Sequence, residues 1–197
     1  MKHPRHWTAL LPMLVIGLVS CGGSPTPVNT APAETKPVSD LRPVASVLDL
    51  MLGQIDPAAD ALWESVATIS GPKGVEERRP RTDKEWAEVR YKALMVIEGA
   101  NMLMVEGRQV AHPGQQLEEP GGATDYTPAQ AQVEIDKDRA SFIAFAHALQ
   151  DAAGMAMTAI EKRDADELLN AGGDLDEACE GCHKRFWYPN SPTPPGA

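Results

Sequence analysis

Two cysteines and a histidine stand together near the C-terminal end, in the run Cys179-Glu180-Gly181-Cys182-His183. On a helix, residues three and four apart share a face, so both thiols point one way with the imidazole beside the first of them. That spacing suits attachment of a haem through two thioether bonds, with the histidine under the iron. The same residue types serve other chemistries. A structural zinc needs four ligands, and only three are at hand unless His112 or His147 completes the set, which nothing in their spacing suggests. A thioredoxin-like dithiol usually opens a helix that follows a strand, whereas this pair falls late in the last helical segment. A disulfide across a two-residue gap closes almost no loop and stabilises little. The motif therefore favours Cys179 and Cys182 as haem attachment points and His183 as the proximal iron ligand, with zinc or a redox dithiol as the alternatives.

The elements that must position this motif read as four helices. Apolar residues keep a 3.6-residue period over 40–69: Val44, Val47, Leu48, Met51, Ile55, Ala59, Leu62, Val66 and Ile69. Asp56-Pro57 interrupts the segment, but the apolar phase survives, which predicts one kinked helix. A Gly-, Pro- and charge-rich loop is expected next. The second helix opens on the capping-box pattern Thr82-Asp83-Lys84-Glu85 and carries Trp86, Val89, Ala93, Val96, Ile97, Ala100, Leu103 and Met104 on one stripe. The third opens on Thr127-Pro128-Ala129-Gln130 and runs to about 160, with Ile135, Phe142, Ala146, Leu149, Ala153, Met157 and Ile160 on its stripe. The fourth starts near Asp164 and ends in the motif. Gly172-Gly173 weaken it and allow a neighbour to approach closely. No segment shows the alternating pattern of a strand. The expected fold is all-α, an antiparallel four-helix bundle holding a covalently attached haem.

The N-terminus speaks to compartment. Lys2 and Arg5 precede an apolar run, Leu10 to Val19, that is too short to span a bilayer and suits a secretory leader. The run ends in Leu18-Val19-Ser20-Cys21, which resembles the lipobox of bacterial lipoproteins. In that family the peptide before the cysteine is removed and the thiol, here Cys21, is lipidated. An ordinary leader with a coincidental cysteine is the alternative. Gly22 follows the cysteine, and by analogy with enterobacterial lipoproteins this favours the outer membrane over the inner. The expected organisation is a signal peptide at 1–20, a lipidated cysteine with a Pro-rich tether at 21–39, a four-helix haem-binding domain at 40–189 and a tail at 190–197. Removing the leader takes two cations and no acid, so the formal charge moves from −10 to −12. Such a charge argues against nucleic acid as a partner and for a redox partner with a basic surface.

A bundle of four helices with Cys-x-x-Cys-His near the end of the last one is similar to the class II c-type cytochromes, the cytochrome c′ family. Phe186, three residues after the histidine, fits that family's pattern. The resemblance covers about residues 40–190. It implies one haem c bound through Cys179 and Cys182, His183 on the proximal side, and a distal residue contributed by the first helix. Met51 lies on that helix in Leu-Met-Leu-Gly, which resembles the family's ligand segment, although Val47 stands where an arginine is often found. Helical phase alone makes Met51 ordinary core filler. With the resemblance it becomes the candidate sixth ligand. Met95, Met102, Met104, Met155, Met157 and His147 rank below it. Trp63 and Trp86 read as core anchors, and Trp187 and Tyr188 as cover for the haem. Family members are often dimers, so a homodimer is possible. The expected role is electron transfer in the periplasm with His/Met ligation, without enzymatic activity. The alternative is a five-coordinate haem that binds nitric oxide or carbon monoxide beneath an apolar residue.

Overall fold

A computed structural model of the chain describes residues 40–115 and 125–189. The leader, Cys21, the tether and the tail at 190–197 lie outside the described residues, as do residues 116–124 of the polar loop after the second helix.

The first helical path starts at α1 (Val47–Leu50), capped reciprocally by Ser46 and Asp49. The Ser46 hydroxyl accepts from the Asp49 amide at 3.0 Å, and the Ser46 amide donates to the Asp49 carboxylate at 2.8 Å. That amide, then the Gln115 side chain, holds the Asp49 carboxyl at about 2. The path continues through a π-helical turn, Met51–Ile55, into α2 (Asp56–Ser65). At the junction the Asp56 amide bonds the Met51 carbonyl, five residues back rather than four. Pro57 follows at once; it has no amide to give a regular turn, and the wider turn absorbs that loss. The expected kink is thus a π turn just before Asp56-Pro57. The path is also shorter than the predicted 40–69. Val44 is 83 % exposed and Ile69 40 %, and Leu50, absent from the expected stripe, is buried.

The expectation of no strands is corrected by a β-hairpin, β1 (Ala67–Gly71) paired antiparallel with β2 (Gly74–Arg78). Its ends meet at Gly71 and Gly74 around Pro72-Lys73, and Gly74 takes φ +113°, a conformation open to glycine. Nearly every strand residue is exposed, so neither face needs apolar alternation, and the pattern that betrays a strand is missing.

Helix α3 (Asp83–Leu103) has the expected box, with Thr82 and Glu85 capping each other. The expected third helix is two. α4 (Pro128–Lys137), boxed by Thr127 and Gln130, stops at Asp138, whose side chain caps α5 (Arg139–Lys162). Ile135 and Phe142 flank the break and are both buried, so the apolar stripe runs through it unmarked. Arg163, in the left-handed region at φ 58°, closes α5, and Asp164 caps α6 (Ala165–Phe186).

The molecule is mostly helical, with α5 packed on α3 and α6, and α2 on α3 and α6. Ile55, Val96, Leu168 and Leu175 are almost fully buried between them. Burial of such a side chain is worth about 1.5–3 kcal/mol. Trp86 is buried as expected, whereas Trp63 is half-buried and lies against α6. Its Nε1 donates to the Gly172 carbonyl at 2.9 Å, and its ring sits 3.0 Å from where a Cβ on Gly172 would be. The expected close approach therefore occurs at Gly172, while nothing stands within 4 Å of a Cβ on Gly173. No helix among the described residues is long and apolar enough to cross a membrane.

Candidate functional site

The last two turns of α6 carry Cys179, Cys182 and His183. The helix ends just beyond them, where the Trp187 and Tyr188 amides both donate to the His183 carbonyl, at 2.8 and 3.0 Å. The Trp187 carbonyl in turn accepts from the Tyr126 amide at 2.7 Å, tying this end of α6 to the residues that lead into α4. Phe186 anchors the end from inside. Its ring meets Phe142 edge-on at 5.5 Å and Phe145 at 6.0 Å. The Arg185 guanidinium lies 4.7 Å above Phe186 and pairs with Glu134 and Asp138 at 3.4 Å each, joining α6 to the α4–α5 break.

Beside this end lies a cavity of about 360 Å³, within the range of small-ligand and cofactor sites. Cys182 and His183 line it from α6, Phe142 from α5, and Leu48 and Met51 from the first helical path. A smaller void of about 20 Å³ shares Met51, Cys182 and His183 with the first and adds Cys179. The three motif residues and Met51 thus come together at one place. Ile135, on the expected apolar stripe, also lines the larger cavity, as do Val110 and Tyr126, which nothing in their sequence context marked. Of the two expected cover residues, Trp187 lines it and packs edge-on to His183 at 5.1 Å. Tyr188 packs against Trp187 with the two rings tilted by 53° and donates its hydroxyl to Glu180.

The lower-ranked candidates lie elsewhere. His147 is exposed, 2.8 Å from the Gln150 side chain, and His112 is exposed, 3.1 Å from the Asp49 carboxylate. Met95, Met102, Met104 and Met157 are half-buried against the core, and Met155 is 47 % exposed.

Electrostatics at the site favour neutral groups. Burial pushes the Cys182 thiol up to about 12, with Cys179 adding to the shift. Burial, then Asp56 and Asp176, pushes Cys179 up to about 11. Burial also lowers the pKa of His183, opposed by Glu180, so its imidazole is neutral, the form that binds iron. Zinc and dithiol chemistry both want thiolates, which this environment disfavours. Among the described residues, no group of three or more His, Cys, Asp or Glu side chains is arranged to hold a metal ion. A haem makes different demands: an apolar slot, two thiols at one edge, a neutral imidazole and polar partners at the rim. The residues fit those demands. Trp187 Nε1 is the one buried side-chain polar atom without a hydrogen-bond partner among the described residues, and its ring forms part of the wall.

Among known families, the model described as Cytochrome C′ matches residues 108–187. The match spans α4, α5 and α6 with the motif, leaves α1 to α3 outside, and supports a place in the cytochrome c′ family. Proteins of that family carry a covalently attached haem c, typically one, and haem c is the cofactor of this chain. No curated protein and no solved structure shows significant similarity to it.

Proposed function

We propose that this c-type haem protein is an electron carrier with His183 and Met51 on opposite sides of the iron. One observation carries the reading: Met51 lines both cavities that Cys182 and His183 line. In this proposal Cys179 and Cys182 hold the haem by thioether bonds, and the helical path at 47–65, α3, α4 with α5, and α6 make up a four-helix bundle. Bound there, a haem supplies a one-electron iron couple, and a methionine–histidine pair raises its potential relative to other axial sets. The chain's own contribution is to bind, orient and shield. Leu48, Phe142 and Phe186 would keep water from a bound iron, and the edge-on contact with Trp187 holds the His183 ring in place. Among the described residues the walls of both cavities are mainly apolar, with Asp56 as their carboxylate, and a lining of that kind suits a carrier.

The absorption spectrum of the purified protein tests this directly. Low-spin bands in both oxidation states, with little carbon monoxide uptake, are the expected result. A specific observation favours a second reading. The matching family is cytochrome c′, and Leu48 and Leu52 flank Met51 on the same wall. A leucine over the iron leaves a five-coordinate site for nitric oxide or carbon monoxide. High-spin bands in the wild-type protein would replace the first reading with this one.

Location and partners complete the proposal. Lipid on Cys21 would hold the domain at a bacterial membrane facing the periplasm, the outer membrane being favoured, and the charge of −12 left after leader removal suits a partner with a basic surface. A homodimer is compatible with it. Cys21→Ser is expected to leave the chain unlipidated and out of the membrane fraction. Intact-mass measurement of the mature wild-type N-terminus decides, since an unmodified Cys21 returns the segment to an ordinary leader.

A further inference from the structure

The path from Val47 to Ser65 departs from α-helical geometry only at Met51–Ile55, and α3 is shaped to receive that departure. Gly99 lies inside α3, where glycine is unfavourable relative to alanine. A Cβ built on it would stand 2.6 Å from Ile55 Cγ1, 3.1 Å from Ile55 Cδ1 and 3.2 Å from Gln54 Nε2. Ile55 is 1 % exposed, so it cannot relieve the clash by swinging out into solvent. A second contact fastens the same turn: Gln54 Nε2 donates to the Met95 carbonyl at 2.9 Å. Met95 and Gly99 are four apart and so share one face of α3.

Geometry links this seat to the cavity. A π turn holds one residue more than an α turn, and each residue advances about 100° around the axis. If the turn relaxed to regular helix while α2 stayed in place, Met51 would rotate by about that angle, away from the cavity it lines.

We propose that Gly99 and Gln54 are positioning residues for Met51. Together they seat the π turn against α3 and fix the side on which the sulfur is presented. The proposal rests on Met51 being the sixth ligand.

The test uses the full-length, haem-loaded protein and reads the ferrous spin state and the carbon monoxide binding rate. In Gly99→Ala the added methyl displaces Ile55. The expected result is a high-spin ferrous fraction and carbon monoxide binding about tenfold faster than wild type. Gln54→Ala, which adds no bulk, is expected to shift both in the same direction by less. Gly99→Ala combined with Ile55→Ala removes the clashing Cγ1 and is expected to recover the low-spin bands. A purely structural role would lower the melting temperature and leave spectrum and binding rate alone. Should Gly99→Ala fail to load haem, Gln54→Ala and the double variant give the decision. Low-spin bands and wild-type rates in Gly99→Ala and Gln54→Ala, with Met51→Ala high-spin, overturn the positioning role and spare Met51 as ligand. A Met51→Ala spectrum identical to wild type overturns both.

Discussion

Alanine at both Cys179 and Cys182 is expected to leave no haem that survives denaturing electrophoresis, and to leave a weakened fold. Both thiols lie in the last turns of α6, against the cavity. Without covalent attachment, only the His183 and Met51 contacts and apolar burial would retain the group. Losing a packed apolar group from a core costs about 2–5 kcal/mol, a large share of the about 5–15 kcal/mol by which such domains are stable. Thermal unfolding followed by circular dichroism is expected to show a lower and broader transition. Haem that still migrates with the double variant under denaturing conditions would falsify thioether attachment through this pair.

Met51→Ala carries the second large effect. Removing the sulfur leaves the thioether bonds and His183 in place and opens the distal side. A thioether is a soft ligand that favours ferrous iron, so its loss is expected to lower the reduction potential. Carbon monoxide affinity is expected to move further. If the wild-type iron is open only about 1 % of the time, its apparent affinity is reduced by that fraction, and Met51→Ala recovers about a hundredfold. Redox titration and carbon monoxide titration read the two effects separately. A variant that stays low-spin and inert to carbon monoxide means that another side chain holds the sixth position.

How much of this was legible depended on whether a feature leaves a mark in residue type. The boxes at Thr82–Glu85 and Thr127–Gln130 did, because the same short pattern satisfies orphan amides wherever a helix begins. So did Gly172, where a glycine inside a helix meets Trp63. The break at Asp138 was hidden: Ile135 and Phe142 are seven apart, two helical turns, so the apolar phase crosses it undisturbed. The hairpin was hidden because its strands are exposed and bury no face. At the site, the spacing from Cys179 to His183 announced itself, and Met51 needed a family resemblance to stand out from core filler. Tyr126, Val110 and Gly99 left no local signal, since their roles come from what the fold sets opposite them.

The burial of the two thiols has a consequence for shelf life. Oxidation of a dithiol begins with thiolate attack, and burial pushes the two thiols up to about 11 and about 12, so the thiolate is scarce at pH 7. An ordinary exposed cysteine is ionised in a few per cent of copies. Both residues are half-buried at the wall of an apolar space. A folded chain still lacking its haem is thus protected against closing the pair into a disulfide, even in an oxidising compartment. The protection is kinetic, and it comes from the same dry surroundings that suit the slot to a porphyrin.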